Sequence, residues 1–250
     1  MERENLKRGS EIEKRSFEKY DPRITFEKQV QEYITLFCRE NDWNRDELTD
    51  ESEVLLLYTD GQSTQKTAAA LMRGQVDYQI ISSDELLAQT PSCGVVVVPR
   101  CQSMSLVTRQ RLDELSYEGV LVFFVGDEPE TIIDGGDEVY FESMGGALFA
   151  ELGDLAGFIR MFGKLKLSLS PKMPMIYSRG VSCKEKRAFI LINRSKRKTA
   201  EFWCSAEGRM RGEYYDVSKK ATLPAVLGKK GVRLGILPMS AVVIITDREV

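Results

Sequence analysis

The sequence predicts an α/β domain built on a parallel sheet, followed by a small antiparallel β-sandwich. Three nearly unbroken apolar runs joined by helical stretches predict the first part: Val54–Tyr58, Gly94–Pro99 and Val120–Gly126. Such runs suit strands that are covered on both faces, as in a parallel sheet. After about residue 168 the pattern changes to short alternating segments, separated by turns rich in Gly, Pro, Asn and Lys, which is typical of an antiparallel sandwich.

The composition is that of a globular protein without a nucleic-acid or membrane partner. The chain has 250 residues, enough for two domains, and is 42% hydrophobic and 29% charged. Its net charge of −3 gives no electrostatic case for binding nucleic acid or an anionic membrane. The first residues are charged and contain no apolar h-region, so no secretory signal and a cytoplasmic location are expected.

The helical segments of the first part are marked by apolar spacing and by capping residues. Residues 1–25 form a charged lead-in, and residues 26–168 are expected to form the α/β domain. A weaker strand, Val76–Ser82, precedes a short helix that Ser83 would cap. The polar run Asn41–Glu53 is interpreted as a linker. The predicted helices are Phe26–Arg39, Gln65–Arg73, Ser105–Glu118 and one through Leu148, Leu155 and Phe162.

The second domain, residues 169–250, is predicted from period-two alternation without an amphipathic helix. The basic residues around its second strand are interpreted as solvated hairpin ends. Its predicted strands are Met175–Ser182, Arg187–Asn193, Thr199–Ser205, Gly208–Val217, Gly231–Leu237 and Ala241–Thr246.

Cysteine and histidine usage argues against a metal site. The five cysteines are scattered without CxxC spacing, and the chain has no histidine. A zinc site would therefore need cysteine and carboxylate ligands alone, so no metal and no cofactor are expected. Buried, reduced thiols are favoured over a disulfide framework.

The loops after the parallel strands are where a ligand site is expected, because ligands of open parallel sheets bind beyond the carboxyl ends of the strands. The loop Thr59–Thr64 offers hydroxyls and a helix N-terminus that could cradle a phosphate, as in flavodoxin-like proteins. Cys101 stands at a strand-to-helix turn, where a cysteine can be a nucleophile, but no histidine base exists. The carboxylates of Asp127, Glu128 and Glu130 could do acid–base work or simply solvate a loop. The residues expected to suit hydroxyl-rich ligands are Tyr58, Asp60, Arg100, Gln102 and Asp127.

Read together, these segments resemble the glutamine-amidotransferase-like domain and the C-terminal β-sandwich of large glycoside hydrolases. The segments that carry the resemblance of the sheet domain are the helix Phe26–Arg39, the strand Val54–Tyr58 and Val76-Asp-Tyr-Gln-Ile-Ile-Ser-Ser-Asp-Glu-Leu-Leu, followed by the two later apolar runs. Those of the sandwich are Phe189-Ile-Leu-Ile-Asn-Arg-Ser, Tyr214-Tyr-Asp-Val and Ala241-Val-Val-Ile-Ile-Thr. In β-galactosidases with a trimerisation domain and in α-L-rhamnosidase-like enzymes, such domains follow the catalytic barrel.

This chain departs from that pattern, so neither amidotransferase nor glycosidase chemistry is carried over to it. At the elbow where amidotransferases carry their nucleophilic cysteine, this chain reads Val125-Gly126-Asp127, and it has no histidine. The two predicted domains also take up most of the chain and leave no room in it for a glycosidase barrel of about 250 residues. The resemblance therefore implies a non-catalytic portion, or stand-alone relative, of a glycoside hydrolase. Its expected partners are a catalytic barrel domain or subunit, a second copy of the chain, or a carbohydrate.

Two other interpretations stay open at this point. One is an independent flavodoxin-like protein that binds a small molecule through the loop Thr59–Thr64. The other is a cysteine enzyme centred on Cys101. Composition does not separate the flavodoxin-like interpretation from a glycosidase-related portion.

Overall fold

The computed structural model describes residues 24–40, 42–88, 94–162, 167–173, 175–184, 186–206, 210–227 and 231–247. Cys93 and most of the lead-in lie outside these residues. The described chain divides into two compact units. The first contains Val54–Ala70 and Tyr78–Leu155, and the second contains Glu27–Glu53, Leu71–Asp77 and the chain from Ala156 onward.

The elements alternate between helix and strand in the first unit, whereas those of the second unit are mostly strands. In chain order they are α1 (Ile24–Glu40), β1 (Thr49–Asp50), β2 (Val54–Leu57), α2 (Gly61–Arg73), β3 (Tyr78–Ile81), α3 (Ser83–Ala88), β4 (Val95–Val98), β5 (Ser103–Ser105), α4 (Leu106–Tyr117), β6 (Leu121–Val125), β7 (Thr131–Asp134), β8 (Asp137–Val139), β9 (Leu148–Ala150), α5 (Leu155–Phe162), β10 (Ser168–Ser170), β11 (Ile176–Cys183), β12 (Lys186–Asn193), β13 (Ala200–Ser205), β14 (Met210–Asp216), β15 (Ala221–Leu227), β16 (Val232–Ile236) and β17 (Ala241–Asp247).

The first unit is built on a five-stranded sheet in which every neighbouring pair is parallel. The strand order is β3-β2-β4-β6-β9. All four valines of β4 are buried, as are Val122 to Val125 of β6, which explains why these strands are continuous apolar runs. The chain order reverses between β2 and β4, so the loops that follow these two strands border the crevice where open α/β sheets bind ligands. A smaller sheet, β5-β7-β8, lies in the same unit.

The helices of the first unit begin where side chains accept the free backbone N–H groups of the first turn. Ser105 accepts from the amide of Thr108 and caps α4, at the first residue of the predicted helix Ser105–Glu118. The cap of α3 is Ser82, not Ser83: its hydroxyl accepts from the amide of Glu85, and the Glu85 carboxylate accepts from the amide of Ser82. This reciprocal pair is a capping box, which needs a glutamate three residues after the serine.

The second unit contains two antiparallel sheets. The larger has the order β1-β11-β12-β17-β14-β15, and the smaller has the order β10-β13-β16. One apolar cluster draws side chains from both sheets, including Phe189 and Ile244 from the larger sheet and Phe202 and Leu234 from the smaller. Burial of this shared cluster is what holds the two sheets of the unit against each other.

Three segments differ from their sequence-based interpretation. The polar run before β2 is not a linker throughout, because Thr49 and Asp50 pair with β11 as an edge strand, which requires backbone groups and no apolar pattern. Leu148 lies in β9, the fifth parallel strand, and the helix begins only at Leu155. The strand β15 contains Pro224, a residue that sequence patterns count against a strand, but β15 is an edge strand, where a missing N–H is tolerated.

Candidate functional site at the ends of the parallel strands

The residues expected to contact a ligand follow the carboxyl ends of β2, β4 and β6. Because these strands are parallel neighbours, the loops after them meet at one edge of the sheet. Asp60, Arg100, Gln102 and Asp127 are exposed there, whereas Tyr58 is half-buried. A Cβ added to Gly126 would lie 3.9 Å from Cδ of Arg100, so the loops after β4 and β6 are in close approach. Gly126 has a φ of +83°, a conformation that glycine adopts without strain.

Asp60 is the N-cap of α2. One oxygen of its carboxylate accepts from the amides of Gln62 and Ser63, both at 2.9 Å. Burial opposes its ionised form, but hydrogen bonds from Ser63 and Gln62 and the charge of Lys66 leave the pKa of Asp60 below its ordinary value. The carboxylate of Asp60 therefore occupies the helix N-terminus as an internal anion.

The same geometry removes the phosphate cradle that the loop Thr59–Thr64 suggested. The amides of Gln62 and Ser63, which a bound phosphate would need, already donate to Asp60. Thr64 is fully buried, and its hydroxyl accepts from the amide of Thr59 at 3.2 Å. An incoming phosphate would also meet the charge of Asp60. The loop is thus a helix-capping turn, and the flavodoxin-like interpretation is not favoured.

Cys101 lies beside this loop but is not an activated nucleophile. Burial, together with the negative charge of Asp60, raises the pKa of the Cys101 thiol to about 11. At neutral pH the thiol is therefore protonated. A catalytic cysteine needs the opposite environment, with a nearby cation, base or helix N-terminus that stabilises the thiolate.

Glu128, a suspected acid in the loop after β6, is engaged by the buried side chain of Arg109. The Arg109 side chain is only 1% exposed, and its Nη2 donates to Oε2 of Glu128 at 3.1 Å. Its Nη1 lies 2.5 Å from Oδ2 of Asp113, and its guanidinium stacks 4.7 Å from the ring centroid of Phe141. Glu128 also accepts from the amide of Met144 at 3.0 Å. The carboxylate of Glu128 thus fixes the loop around Phe141 to α4.

The sequence alone does not single out Arg109 as a structural centre. It occupies an apolar-spaced position of α4, with Leu112 and Leu115 as its buried neighbours on the helix. A charged residue in the buried stripe of an amphipathic helix is the available signal, because such a residue needs a paired carboxylate. The sequence offers several acids and does not indicate that Glu128 is the partner.

A small cavity lies within the second unit and is lined by polar and apolar groups. Its volume is about 20 Å³, room for roughly one water molecule rather than a sugar or a cofactor. Asp77 accepts from the amide of Gly180 at 2.9 Å, and Gln75 donates to the carbonyl of Met173 at 2.6 Å. These contacts tie Leu71–Asp77 to the strands of the second unit.

The described residues contain neither a metal-binding cluster nor a membrane-spanning helix. No group of three or more Cys, Asp or Glu side chains in the part of the chain that the structure describes is placed to hold a metal ion. Among those same residues, no helix combines the length and apolarity needed to cross a membrane.

Comparison with known proteins identifies a class of similar structures. No protein-family model matches the chain, and no curated protein matches it. Solved structures that resemble it include several glycoside hydrolases, at sequence identities that indicate a shared fold only.

Three of these structures illustrate the extent of the similarity. A rhamnosidase from Novosphingobium sp. PP1Y matches with a TM-score of 0.56 and 13% identity, over 80% of this chain and 23% of its own. An α-L-fucosidase isoenzyme 2 from Paenibacillus thiaminolyticus gives 0.56 and 10%, over 81% and 49%. A GH42 β-galactosidase from G. stearothermophilus gives 0.52 and 10%, over 80% and 41%. The chain therefore spans less than half the length of each of these enzymes.

Proposed function

We propose that this chain is a non-catalytic portion, or a stand-alone relative of such a portion, of a glycoside hydrolase. The observation that carries the proposal is the asymmetry of coverage. About four-fifths of this chain matches these hydrolases, whereas it accounts for 23% to 49% of their lengths. Its role would be to support a catalytic barrel, to mediate oligomerisation or to border a carbohydrate site.

The state of the acidic and nucleophilic groups supports a non-catalytic role. Glycoside hydrolysis requires two carboxyl groups that flank the scissile bond, one of them able to give up a proton. At the strand ends, Asp60 is committed to capping α2, and Glu128 is paired with a buried arginine. The thiol of Cys101 is protonated at neutral pH. These groups have structural partners instead of a shared reacting centre.

The finer architecture that we attach to this proposal is an amidotransferase-like sheet domain within residues 26–168 and a β-sandwich within residues 169–250. The strand order β3-β2-β4-β6-β9 and the apolar cluster shared by the two antiparallel sheets support these assignments. The exposed Arg100, Gln102 and Asp127, with Tyr58 and Asp60, would then contact a sugar or the loops of a neighbouring catalytic domain.

The experiment uses the intact chain together with a candidate partner. The chain is purified and assayed with aryl glycosides. The neighbouring reading frames are then searched for a barrel glycoside hydrolase, and the two chains are co-expressed. We expect no turnover by the chain alone, co-elution with the barrel at a defined stoichiometry, and a higher Tm for the barrel in the complex. Turnover by the chain alone that disappears with Glu128→Gln would refute the proposal.

A ligand titration tests the alternative in parallel. Flavin mononucleotide is titrated into the chain by calorimetry, with the Thr64→Ala variant beside it. No heat of binding is expected, because Asp60 occupies the amides of the helix N-terminus. Micromolar binding that is lost in Thr64→Ala would support the flavodoxin-like alternative instead.

A further inference from the structure

One face of the smaller sheet in the second unit presents a single aromatic ring among polar side chains. Trp203 is at the centre of β13, the middle strand of this sheet, and 50% of it is exposed. Alternate residues of β13, Phe202 and Cys204, are buried in the core of the unit. Trp203 therefore points away from the core, and half of its surface is open to solvent.

The strand register identifies the neighbours of the ring. Trp203 pairs with Ser170 of β10 on one side and with Arg233 of β16 on the other. Directly paired residues of antiparallel strands project from the same face of a sheet, so all three side chains share the outer surface. Glu201 is two residues along β13 and is therefore on this face as well. It pairs with Gly235, where an added Cβ would meet nothing within 4 Å, so this part of the surface is open.

The charges of this face cancel each other. Nη2 of Arg233 donates to Oε2 of Glu201 at 2.8 Å, and both side chains are more than 60% exposed. The pair lies beside the ring and leaves further guanidinium N–H donors and carboxylate lone pairs open to solvent. The surface thus offers donors, acceptors and an aromatic face, but no net charge.

The size of the apolar surface distinguishes between kinds of partner. Half of a tryptophan corresponds to on the order of 100 Å² of apolar surface, whereas a standard protein interface takes about 800 Å² from each partner. The three strands and two successive outward rows span about 10 Å by 7 Å, an area that suits one or two sugar rings. A sugar also has the matching chemistry, because its C–H groups pack on the negative face of an indole while its hydroxyls donate and accept.

From this arrangement we propose that the outer face formed by Ser170, Glu201, Trp203, Arg233 and Gly235 binds a neutral carbohydrate. Trp203 stacks against one pyranose ring, and the Glu201–Arg233 pair hydrogen-bonds its hydroxyls. Because Arg233 is already neutralised by Glu201, an anionic sugar gains no free cation here. This site extends the proposed function with a ligand class, but it rests on the surface of the second unit and does not need a catalytic partner.

Native affinity electrophoresis of the full chain tests the site. The gels contain one of four neutral polysaccharides: galactan, xylan, mannan or hydroxyethylcellulose. We expect retardation by at least one of them, weakened about tenfold or more in Trp203→Ala and retained in part in Trp203→Phe. Tyr140→Ala is the matched control, because Tyr140 is 90% exposed in the first unit and its removal should leave retardation unchanged.

A spectroscopic measurement reports on the ring itself. The chain has two tryptophans, so the Trp43→Phe variant leaves Trp203 as the single indole. An oligosaccharide of the retarding polymer should shift its fluorescence to shorter wavelength as water leaves the ring, and polygalacturonate should not.

Each outcome either supports or overturns the carbohydrate site. Lack of retardation by all four polymers, retardation unchanged in a folded Trp203→Ala variant, or an equal fluorescence response to polygalacturonate would overturn it. Co-elution with a barrel is measured separately, so failure of that partnership leaves this test unaffected. Binding without co-elution would support the site alone.

Discussion

Replacing Glu128 by glutamine tests whether this acid has a structural or a catalytic role. The substitution keeps the shape of the side chain and removes its charge. In the folded chain that charge faces the guanidinium of Arg109, which is 1% exposed, and one carboxylate, that of Asp113, would remain against it. The amide of Met144 would compete with Arg109 for the single oxygen acceptor of the new side chain.

The size of the effect follows from burial. Removing one partner of a buried ion pair costs about 3–5 kcal/mol, because the other charge is left without compensation. Here the cost is smaller, since the Glu128 side chain is 19% exposed and Asp113 stays 2.5 Å from the guanidinium. We therefore expect a loss of about 2 kcal/mol in the free energy of unfolding, a roughly 30-fold change in the folding equilibrium.

Urea denaturation followed by circular dichroism measures this loss, with Asp127→Asn as the control. Asp127 is exposed and adjacent in sequence, so its substitution should change stability by less than about 0.5 kcal/mol. If Glu128→Gln is no more destabilising than Asp127→Asn, the structural reasoning is wrong. A catalytic Glu128 would instead show turnover in the unmodified chain and its loss in the variant.

Three further predictions concern the helix cap Asp60, Gly212 in β14 and the thiol of Cys101. Asp60→Ala should lower the free energy of unfolding by about 1 kcal/mol at pH 7. Because folding lowers the pKa of Asp60, the stability that its carboxylate provides is complete above the ordinary carboxyl pKa and should vanish as pH falls through the pKa of the folded state. Acid denaturation of the unmodified chain and of the variant would follow this loss. Gly212→Ala should cost more than about 3 kcal/mol, since its Cβ would lie 1.8 Å from the carbonyl oxygen of Ile245, whereas Gly235→Ala meets no atom within 4 Å and should leave Tm nearly unchanged. Alkylation of Cys101, mapped by mass spectrometry, should be slow at pH 7 and should rise about tenfold per pH unit up to pH 10, since its pKa is about 11; a rate that levels off below pH 8 would contradict this.

Elements with strong local signals were predictable from the sequence. The apolar runs of β2, β4 and β6 are continuous because both faces are covered, and the structure places all three in the parallel sheet. The predicted helix Phe26–Arg39 is present as α1. The strand β1 had no such signal, because its pairing with β11 depends on a distant backbone. Pro224 concealed β15 in the same way, since only its position at the sheet edge makes a proline acceptable there.

The sequence predicts that the candidate residues follow the ends of the parallel strands, but it does not predict which groups their side chains contact. Parallel strand ends made the loops holding Asp60, Arg100 and Asp127 the place to search. That the Asp60 carboxylate turns inward to its own helix, and that Glu128 finds Arg109, depends on the approach of loops in three dimensions. For Trp203, the alternation of β13 puts the ring on the same face as Glu201, but the pairing of Glu201 with Arg233 required the strand register.

The pairing of β1 with β11 has a consequence for how the chain is made. The register joins Thr49 to Ser182, so at a synthesis rate of about 5–20 residues per second the earlier strand waits roughly 7–27 s for its partner to leave the ribosome. The parallel strands β2, β4 and β6 emerge during that interval and can pair first. An expression fragment that begins near residue 169 would lack β1 and would leave the edge of β11 open to pairing between molecules. A fragment intended to isolate the second unit should therefore carry Glu27–Glu53 and Leu71–Asp77, joined to the later chain by designed connections.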